Sequence, residues 1–307
     1  DKTDSSRKRC RRLSRKFRRP RHKGKGMFEI AHRKRLVPGV VSLEVRAPDI
    51  ARTHRPGQFV ILRIDDEGER IPLTVADKDV ETGTITLVFQ EVGRTTYQLA
   101  RMSPGSAILD LAGPLGQPTE VCNFGTTVSI GGGIGIPLLY PITKGFRETG
   151  NYVISILGAR TKDLLVMEEE MSAISHVTKI CTDDGSYGIH GFVTGELKRM
   201  LEAGERIDRV IGVGPVPMMK ALCELTRPYG IKTIVSLNPI MVDGTGMCGA
   251  CRCEINGKTV YACVDGPEFD GHQVNFDLLA KRLNMYKGQE LVALEEYKTT
   301  GQVTGEA

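Results

Sequence analysis

Residues 126–150 read TTVSIGGGIGIPLLYPITKGFRETG, in which an apolar strand pattern leads into a glycine-rich turn and then into a helical pattern. The run from Thr127 to Ile130 predicts the strand, and the glycines after it let backbone amides at the positive end of the helix approach a phosphate. Tight packing also produces such turns, so this motif alone is a weak signal. The candidate nucleotide-binding residues in it are Gly131, Gly132, Gly133, Gly135 and Pro137.

The whole of residues 124–238 continues this alternation of apolar runs and helical patterns, which is typical of a parallel, Rossmann-like sheet. A second glycine turn, GVGP at 212–215, ends another strand. Because the carboxyl ends of parallel strands meet at one edge, we expect both turns to face the same ligand. This second turn adds Gly214, Pro215 and Met218 to the candidates.

The choice between NAD and NADP depends on residues after the second strand of this region. Arg160 and Lys162 could hold the 2′-phosphate of NADP, whereas Asp163 could bind a ribose hydroxyl of NAD. All three side chains could equally be surface charges, so the residues leave the nucleotide undecided.

Upstream, residues 27–123 show short alternating strand patterns separated by Gly, Pro and Asp, which predicts a small antiparallel barrel. Two segments carry basic and hydroxyl side chains beside these strands, namely 70–74 (RIPLT) and 93–96 (GRTT). Taken alone they would be strand ends and turns. The four strand patterns are VVSLEVRAP (40–48), GQFVILRID (57–65), TGTITLVFQEVG (82–93) and SAILDLAGPLG (106–116).

Downstream, residues 239–307 begin with a cysteine-rich segment and end in a helical pattern from about residue 276. Four of the eight cysteines lie in MVDGTGMCGACRCEINGKTVYAC (241–263). Plant-type ferredoxins bind a 2Fe-2S cluster with C-x4-C-x2-C and a distant fourth cysteine. Cys248, Cys251 and Cys263 fit this spacing, and Asp243 occupies the first position.

The fourth ligand stays open at this stage. Asn256-Gly257 predicts a two-residue hairpin that places Cys253 opposite Val260 and Cys251 opposite Ala262, next to Cys263. Strand alternation puts Cys253 on the same face as Cys251, so Cys253 is an alternative to Asp243. A structural zinc site is the other hypothesis, although zinc ribbons pair two C-x2-C knuckles and this segment has one.

The charge of the chain is divided unevenly over its 307 residues. Residues 1–26 hold thirteen Lys and Arg against two Asp, a net charge of +11, which leaves −6 for the remainder of the formal +5. We expect this basic arm to be disordered, or to precede a true start at Met27. The acidic folded body lacks the basic charge that nucleic-acid binding requires. No apolar run is long enough to cross a membrane, and we expect a cytoplasmic protein.

The order of barrel, nucleotide sheet and iron–sulfur loop resembles the ferredoxin-NADP reductase superfamily from Met27 onward. Within it, several segments resemble the small (alpha) subunit of NADH-dependent reduced ferredoxin:NADP oxidoreductase, also known as the sulfide dehydrogenase small subunit. The electron-transfer subunit of dihydroorotate dehydrogenase is similar but normally has cysteine at the position of Asp243. The segments are RIPLTVAD, GGGIGIPLLYP, GARTKDLL, TDDGSYGIHGFVTG and MVDGTGMCGACRCEINGKTVYACVDGPEFDGH.

The resemblance implies FAD in the barrel, NAD(H) on the sheet with NADP as the alternative, and a 2Fe-2S cluster. Its flavin motif, R-x-Y-S or R-x-x-S, matches the segment with Arg70, Pro72, Leu73 and Thr74, although Arg70 lies one position early. Thr74 takes the place of the motif's serine, so the resemblance makes it the candidate catalytic residue near flavin N5. Gly93, Thr95 and Thr96 match the pyrophosphate-holding segment, and Arg160 with the glycine turns matches the nucleotide site. The implied cluster ligands are Asp243, Cys248, Cys251 and Cys263.

The implied function is an oxidoreductase subunit that transfers electrons. Nicotinamide exchanges hydride and an iron–sulfur cluster exchanges single electrons, so a flavin must lie between them. The resemblance also implies a larger partner that carries FAD and 4Fe-4S clusters and exchanges electrons with ferredoxin. The alternatives are the electron-transfer subunit for dihydroorotate oxidation and a non-enzymatic zinc-loop binding module.

Overall fold

A computed structural model describes residues 28–300, so the predicted basic arm at 1–26 lies outside the described residues. The first region is a seven-stranded antiparallel sheet in the order β6-β1-β2-β5-β4-β3-β7, curled into a nearly closed barrel whose edge strands are joined through Leu109. It also contains two short helices, α1 (Pro48–Thr53) and α2 (Arg94–Leu99). The strands are β1 (Phe28–Val37), β2 (Val40–Arg46), β3 (Phe59–Arg63), β4 (Ile71–Asp79), β5 (Thr84–Gln90), β6 (Ala107–Ile108) and β7 (Asp110–Leu115).

The barrel core follows directly from strand alternation. Val41, Leu43 and Val45 of β2 are fully buried, whereas Ser42 and Glu44 between them are only partly covered. β-branched and leucine side chains at every second position suit a half-buried pleated surface. The predicted antiparallel barrel is confirmed.

The second region is a sheet whose strands run parallel in the order β11-β10-β9-β8-β12-β13, with helices packed against it. The predicted Rossmann-like sheet is confirmed. Its strands are β8 (Thr126–Gly132), β9 (Tyr152–Ala159), β10 (Val177–Thr182), β11 (Ile189–His190), β12 (Arg209–Val213) and β13 (Lys232–Ser236). Its helices are α3 (Gly135–Glu148), α4 (Glu168–Ala173), α5 (Val193–Glu202) and α6 (Val216–Thr226).

The third region is built around a hairpin with the predicted register. Asn256 and Gly257 have φ of 50° and 72°, the left-handed pair that a two-residue hairpin turn requires. Cys253 pairs with Val260, and the N–H of Ala262 donates to the Cys251 carbonyl at 3.1 Å. The elements are β14 (Arg252–Ile255), β15 (Lys258–Tyr261), α7 (Ala262–Asp265), β16 (Glu268–Asp270), α8 (Phe276–Leu283) and α9 (Lys287–Thr300).

The third region is interlocked with the other two, which the sequence did not predict. Strand β16 pairs antiparallel with β13 and so becomes the seventh strand of the nucleotide sheet. The hydroxyl of Thr119, after the barrel, donates to the Glu268 carboxylate at 2.8 Å. Helix α9 returns to the barrel, where Tyr297 meets Tyr97 of α2 edge to face at 6.2 Å.

Among the helices of residues 28–300, none combines the length and the apolar composition that a membrane crossing requires.

His54, which follows α1, is a buried histidine that should make the barrel sensitive to acid. Its side chain is 3% exposed, and neither ring nitrogen has a hydrogen-bond partner among the described residues. Burial, and then the nearby Lys78 ammonium, lower the pKa of His54 from 6.5 to about 4, against a smaller opposing effect of the Gln58 backbone. The folded barrel therefore holds this imidazole neutral.

We expect the free energy of unfolding to fall as the pH drops from about 6.5 to about 4. Over that interval the unfolded chain binds a proton at His54 and the folded chain does not, which favours unfolding by up to about 3 kcal/mol at about 1.4 kcal/mol per pKa unit. Urea denaturation at several pH values measures this. His54→Leu should flatten the slope between pH 6.5 and 5, and an unchanged slope would assign the acid sensitivity elsewhere.

Candidate functional site

A cavity of about 540 Å³ lies between the barrel and the carboxyl edge of the nucleotide sheet. The barrel contributes Pro38, Val40 and Gln90 to its wall. Both predicted glycine turns reach it, so the structure brings together two segments about 80 positions apart in sequence. The predicted residues that line the cavity are Gly132, Gly133, Arg160, Pro215 and Met218.

The remaining predicted residues of these turns, Gly131, Gly135, Pro137 and Gly214, do not line the cavity. Gly131, Gly135 and Pro137 are buried, and a Cβ on Gly135 would overlap the carbonyl oxygen of Val213. A Cβ on Gly214 would come within 2.7 Å of Met218 Cε. These glycines therefore let the two turns pack together, which fixes the shape of the cavity wall.

The residues just before helix α3 line the cavity. No side chain caps this 14-residue helix, and Gly133 just before it adopts φ of 54°, the left-handed region that favours glycine. The N–H of Gly133 donates to the Gly158 carbonyl at 2.8 Å, that of Ile136 donates to the Gly133 carbonyl at 3.1 Å, and Pro137 has no N–H. At most the N–H groups of Ile134 and Gly135 are therefore left in this turn for a pyrophosphate group, next to a glycine with open space at its Cβ position.

The charged residues around the cavity differ from the set considered from sequence. Arg160 lines the cavity, whereas the Lys162 ammonium lies 5.0 Å from the ring centre of Tyr187 and outside the lining. Asp183 and the 68%-exposed Phe192 do line it, and sequence reasoning missed both. Both lie in the TDDGSYGIHGFVTG segment, whose sequence carries the family resemblance but gives no role to its individual residues.

The predicted flavin segment forms the start of β4. Leu73 packs against the barrel core and Val75 is within it, whereas Ala76 belongs to the apolar cluster shared with α3. Thr74 lies on the opposite face of the strand from Leu73 and Val75, because successive residues alternate. Thr74 pairs with Phe59 of β3, which belongs to the apolar cluster of the third region, and the register of β4 shifts after Val75. Arg70 is exposed just before the strand, and Pro72 pairs with Ile61.

The predicted pyrophosphate segment opens a helix, where the sequence suggested only a turn. Gly93 precedes α2, and the Thr96 hydroxyl accepts the Gly93 N–H at 3.0 Å. The buried Thr95 hydroxyl is 3.4 Å from a Glu69 carboxylate oxygen. Arg94, absent from the predicted site, has a buried Nε with no partner among the described residues. An orphaned guanidinium N–H beside this segment fits an anionic ligand such as the FAD pyrophosphate.

The four predicted cluster ligands lie around one loop and the start of α7. The Sγ atoms of Cys251 and Cys263 are 3.1 Å apart. The Asp243 carboxylate accepts the backbone N–H groups of Thr245 and Cys248, both at 2.8 Å. The Thr245 N–H chiefly, and then that of Cys248, hold the pKa of Asp243 below its ordinary value, whereas burial raises the pKa of Cys263 to about 12.

Within residues 28–300, no three His, Cys, Asp or Glu side chains already converge as a metal-binding group. Cys248 is exposed, and its Sγ accepts the Ala250 N–H at 3.5 Å. The donor chemistry nevertheless fits an iron–sulfur cluster, because three thiols and one carboxylate lie in adjacent segments among positive-φ glycines such as Gly246 and Gly249. Cys253 is buried, and burial raises the pKa of its thiol to about 11.

The third region matches a known protein family. Residues 238–275 match the model for the iron-sulfur cluster binding domain of dihydroorotate dehydrogenase B. A Thermotoga maritima protein, named as a homolog of the dihydroorotate dehydrogenase B (NAD(+)) electron transfer subunit, is 45% identical over 280 residues, covering 91% of this chain and 99% of the relative. The electron transfer subunit of that enzyme from Geobacillus thermodenitrificans is 33% identical over 82% of this chain and 98% of the relative.

Solved structures of other proteins resemble this fold. The structure of an NADH-dependent reduced ferredoxin-NADP oxidoreductase, described for flavin-based electron bifurcation, aligns with a TM-score of 0.84 and 45% identity over 90% of this chain and 99% of that one. The Amycolatopsis cytochrome P450 reductase GcoB shares the fold at 19% identity and a TM-score of 0.57. Fold and sites thus define an electron-transfer subunit with the ferredoxin-NADP reductase fold and an added iron–sulfur domain. The chain belongs to the family of dihydroorotate dehydrogenase B electron transfer subunits and their homologues.

Proposed function

We propose that this chain relays electrons between NAD(H), FAD and a 2Fe-2S cluster, and exchanges them with a larger partner subunit. When bound, a flavin takes up hydride and passes on single electrons, which connects the chemistry of nicotinamide with that of the cluster. The protein supplies binding sites, their relative positions and their electrostatics.

Each cofactor has a set of residues that would hold it. The face of β4 that carries Thr74 would contact the reactive edge of the flavin, with Arg94 and the Gly93 segment on its pyrophosphate. The cavity at Gly132, Gly133 and Met218 would take the pyridine nucleotide, with Arg160 at its charged end. Asp243, Cys248, Cys251 and Cys263 would hold the cluster, and Cys253 would remain a buried thiol.

One observation carries the proposal: the cluster loop is pressed against the barrel strands beside the flavin segment. A Cβ on Gly244, whose φ is 76°, would lie 2.6 Å from Leu115 Cδ1 and 2.8 Å from Ile61 Cγ1. Ile61 pairs directly with Pro72 of the flavin segment. The loop therefore packs on β3, the strand that pairs with the flavin segment of β4, as a short electron path requires.

Anaerobic mixing of the reconstituted protein with NADH tests the proposal. We expect the flavin absorbance to bleach first and the paramagnetic signal of a reduced cluster to follow. Gly244→Ala should slow only the second phase, because a methyl group at a positive-φ, crowded position shifts the loop, at a cost of about 1–3 kcal/mol. The Gly257→Ala variant, at an open positive-φ turn of the hairpin, serves as the matched control. Cluster reduction by NADH in flavin-free protein would contradict the relay.

The identity of the larger partner subunit is a separate proposal. We propose a larger flavoprotein with 4Fe-4S clusters that exchanges electrons with ferredoxin, as the family resemblance implies. The similarity to a reduced ferredoxin-NADP oxidoreductase structure over 99% of that chain supports an enzyme of this kind. The names of the relatives support the dihydroorotate dehydrogenase subunit as the second candidate. Identification of the large subunit that co-purifies with this chain separates the two.

A further inference from the structure

Helix α8 places a guanidinium beside the cluster loop. Leu279 of α8 is 2% exposed and packs in the same apolar cluster as Cys251, Cys253 and Cys263. Arg282 lies three residues further along, on the same face of the helix. Its NH2 group donates to the carbonyl oxygen of Ala250 at 2.9 Å, between the proposed ligands Cys248 and Cys251.

This guanidinium lacks a counter-charge in the described part of the chain. No Asp or Glu of residues 28–300 forms an ion pair with Arg282, and its Nε is buried without a hydrogen-bond partner. A half-buried cation with an orphaned N–H is costly, so such groups normally lie beside an anion. A 2Fe-2S cluster with four anionic ligands is net negative, because those ligands and the two sulfides outweigh the charge of two ferric ions.

We propose that Arg282 is the counter-charge of the iron–sulfur cluster and raises its reduction potential. This inference depends on the proposed function, since it assumes that the cluster is held by the loop at 243–263. Reduction adds one negative charge to the cluster, and a nearby guanidinium stabilises the reduced form more than the oxidised form. Arg282 is a positioning and tuning residue outside the 238–275 segment that matches the iron–sulfur family model.

The chain offers a matched control in Arg252. Its NH1 group donates to the carbonyl oxygen of Gly249 at 3.0 Å, one residue from the carbonyl that Arg282 holds. Arg252 is exposed, so water and salt screen its charge. Loss of either arginine removes one hydrogen bond to the loop, but only loss of Arg282 removes a partly desolvated charge.

The test is a redox titration of the reconstituted full chain, followed by electron paramagnetic resonance. We expect Arg282→Gln to shift the midpoint potential of the cluster to a more negative value and Arg252→Gln to shift it much less. An unchanged potential in iron-loaded Arg282→Gln, or equal shifts in the two variants, would overturn the inference.

Iron and acid-labile sulfide contents separate this inference from the proposed function. Wild-type protein that binds neither after reconstitution would contradict the proposed function itself. If Arg282→Gln fails to retain the cluster, Arg282→Lys decides: a retained cluster with a potential close to that of wild type supports the charge role, and loss of the cluster with lysine as well overturns it.

Discussion

Cys263→Ala is expected to abolish cluster binding, so that iron and acid-labile sulfide fall from about two of each per chain to background. Cys263 Sγ lies 3.1 Å from Cys251 Sγ, and no other thiol of the described chain takes its place at the start of α7. The barrel and the nucleotide cavity do not include Cys263. Flavin content and flavin reduction by NADH should therefore persist while the visible and paramagnetic signals of the cluster disappear.

Cys253→Ala is the matched control for this variant. Cys253 is as buried as Cys263 and belongs to the same apolar cluster, but it lies in β14, where its Sγ donates to the Cys251 carbonyl at 3.6 Å. We expect it to keep the cluster. Loss of iron from Cys253→Ala, together with retention in an Asp243→Ala variant, would put Cys253 in the ligand set in place of Asp243.

Gly135→Val is expected to lower the rate of flavin reduction by NADH about 100-fold, the loss that a displacement of about 1 Å can cause. The added side chain would overlap the Val213 carbonyl oxygen and come within 2.9 Å of the Gly214 amide nitrogen. Both atoms are backbone, so the two glycine turns must separate. Stopped-flow absorbance with NADH measures the effect, and dithionite should still reduce flavin and cluster normally.

Gly195→Ala controls for the loss of a glycine in the same region. Gly195 is in α5, and no atom from outside its own stretch of helix lies within 4 Å of its Cβ position. This variant should reduce its flavin normally and gain about 0.5–1 kcal/mol in stability from better helix propensity. If Gly135→Val reacts with NADH as fast as Gly195→Ala does, then the packing of the two turns does not control the nucleotide site.

Local patterns in the sequence were sufficient for the main architecture. Alternation in β2, the turn that begins at Gly131 and the hairpin at Asn256-Gly257 all depend on residues within a few positions of one another. Cysteine spacing is local in the same way, so it pointed to the iron–sulfur loop. The sequence pattern of Gly93–Thr96 indicated strand-end and turn residues, but helix α2 begins there. The Thr96 hydroxyl accepts the Gly93 N–H at the start of that helix.

The roles of individual side chains at the site required the tertiary structure. The sequence named Gly135 and Pro137 as cofactor-binding candidates, but both are buried and neither lines the cavity. Asp183 and Arg94 became candidates only once their surroundings in the structure were known.

The amino-acid sequence by itself determined the order of barrel, parallel sheet and cysteine loop, because backbone propensity and side-chain periodicity act over short distances. Only the tertiary structure decided that β16 pairs with β13 and completes the nucleotide sheet. It also decided that Gly244 packs against Ile61 and Leu115, and that Arg282 donates a hydrogen bond to the Ala250 carbonyl. Those contacts join residues far apart in the chain. They depend on packing and desolvation that no short window of sequence encodes.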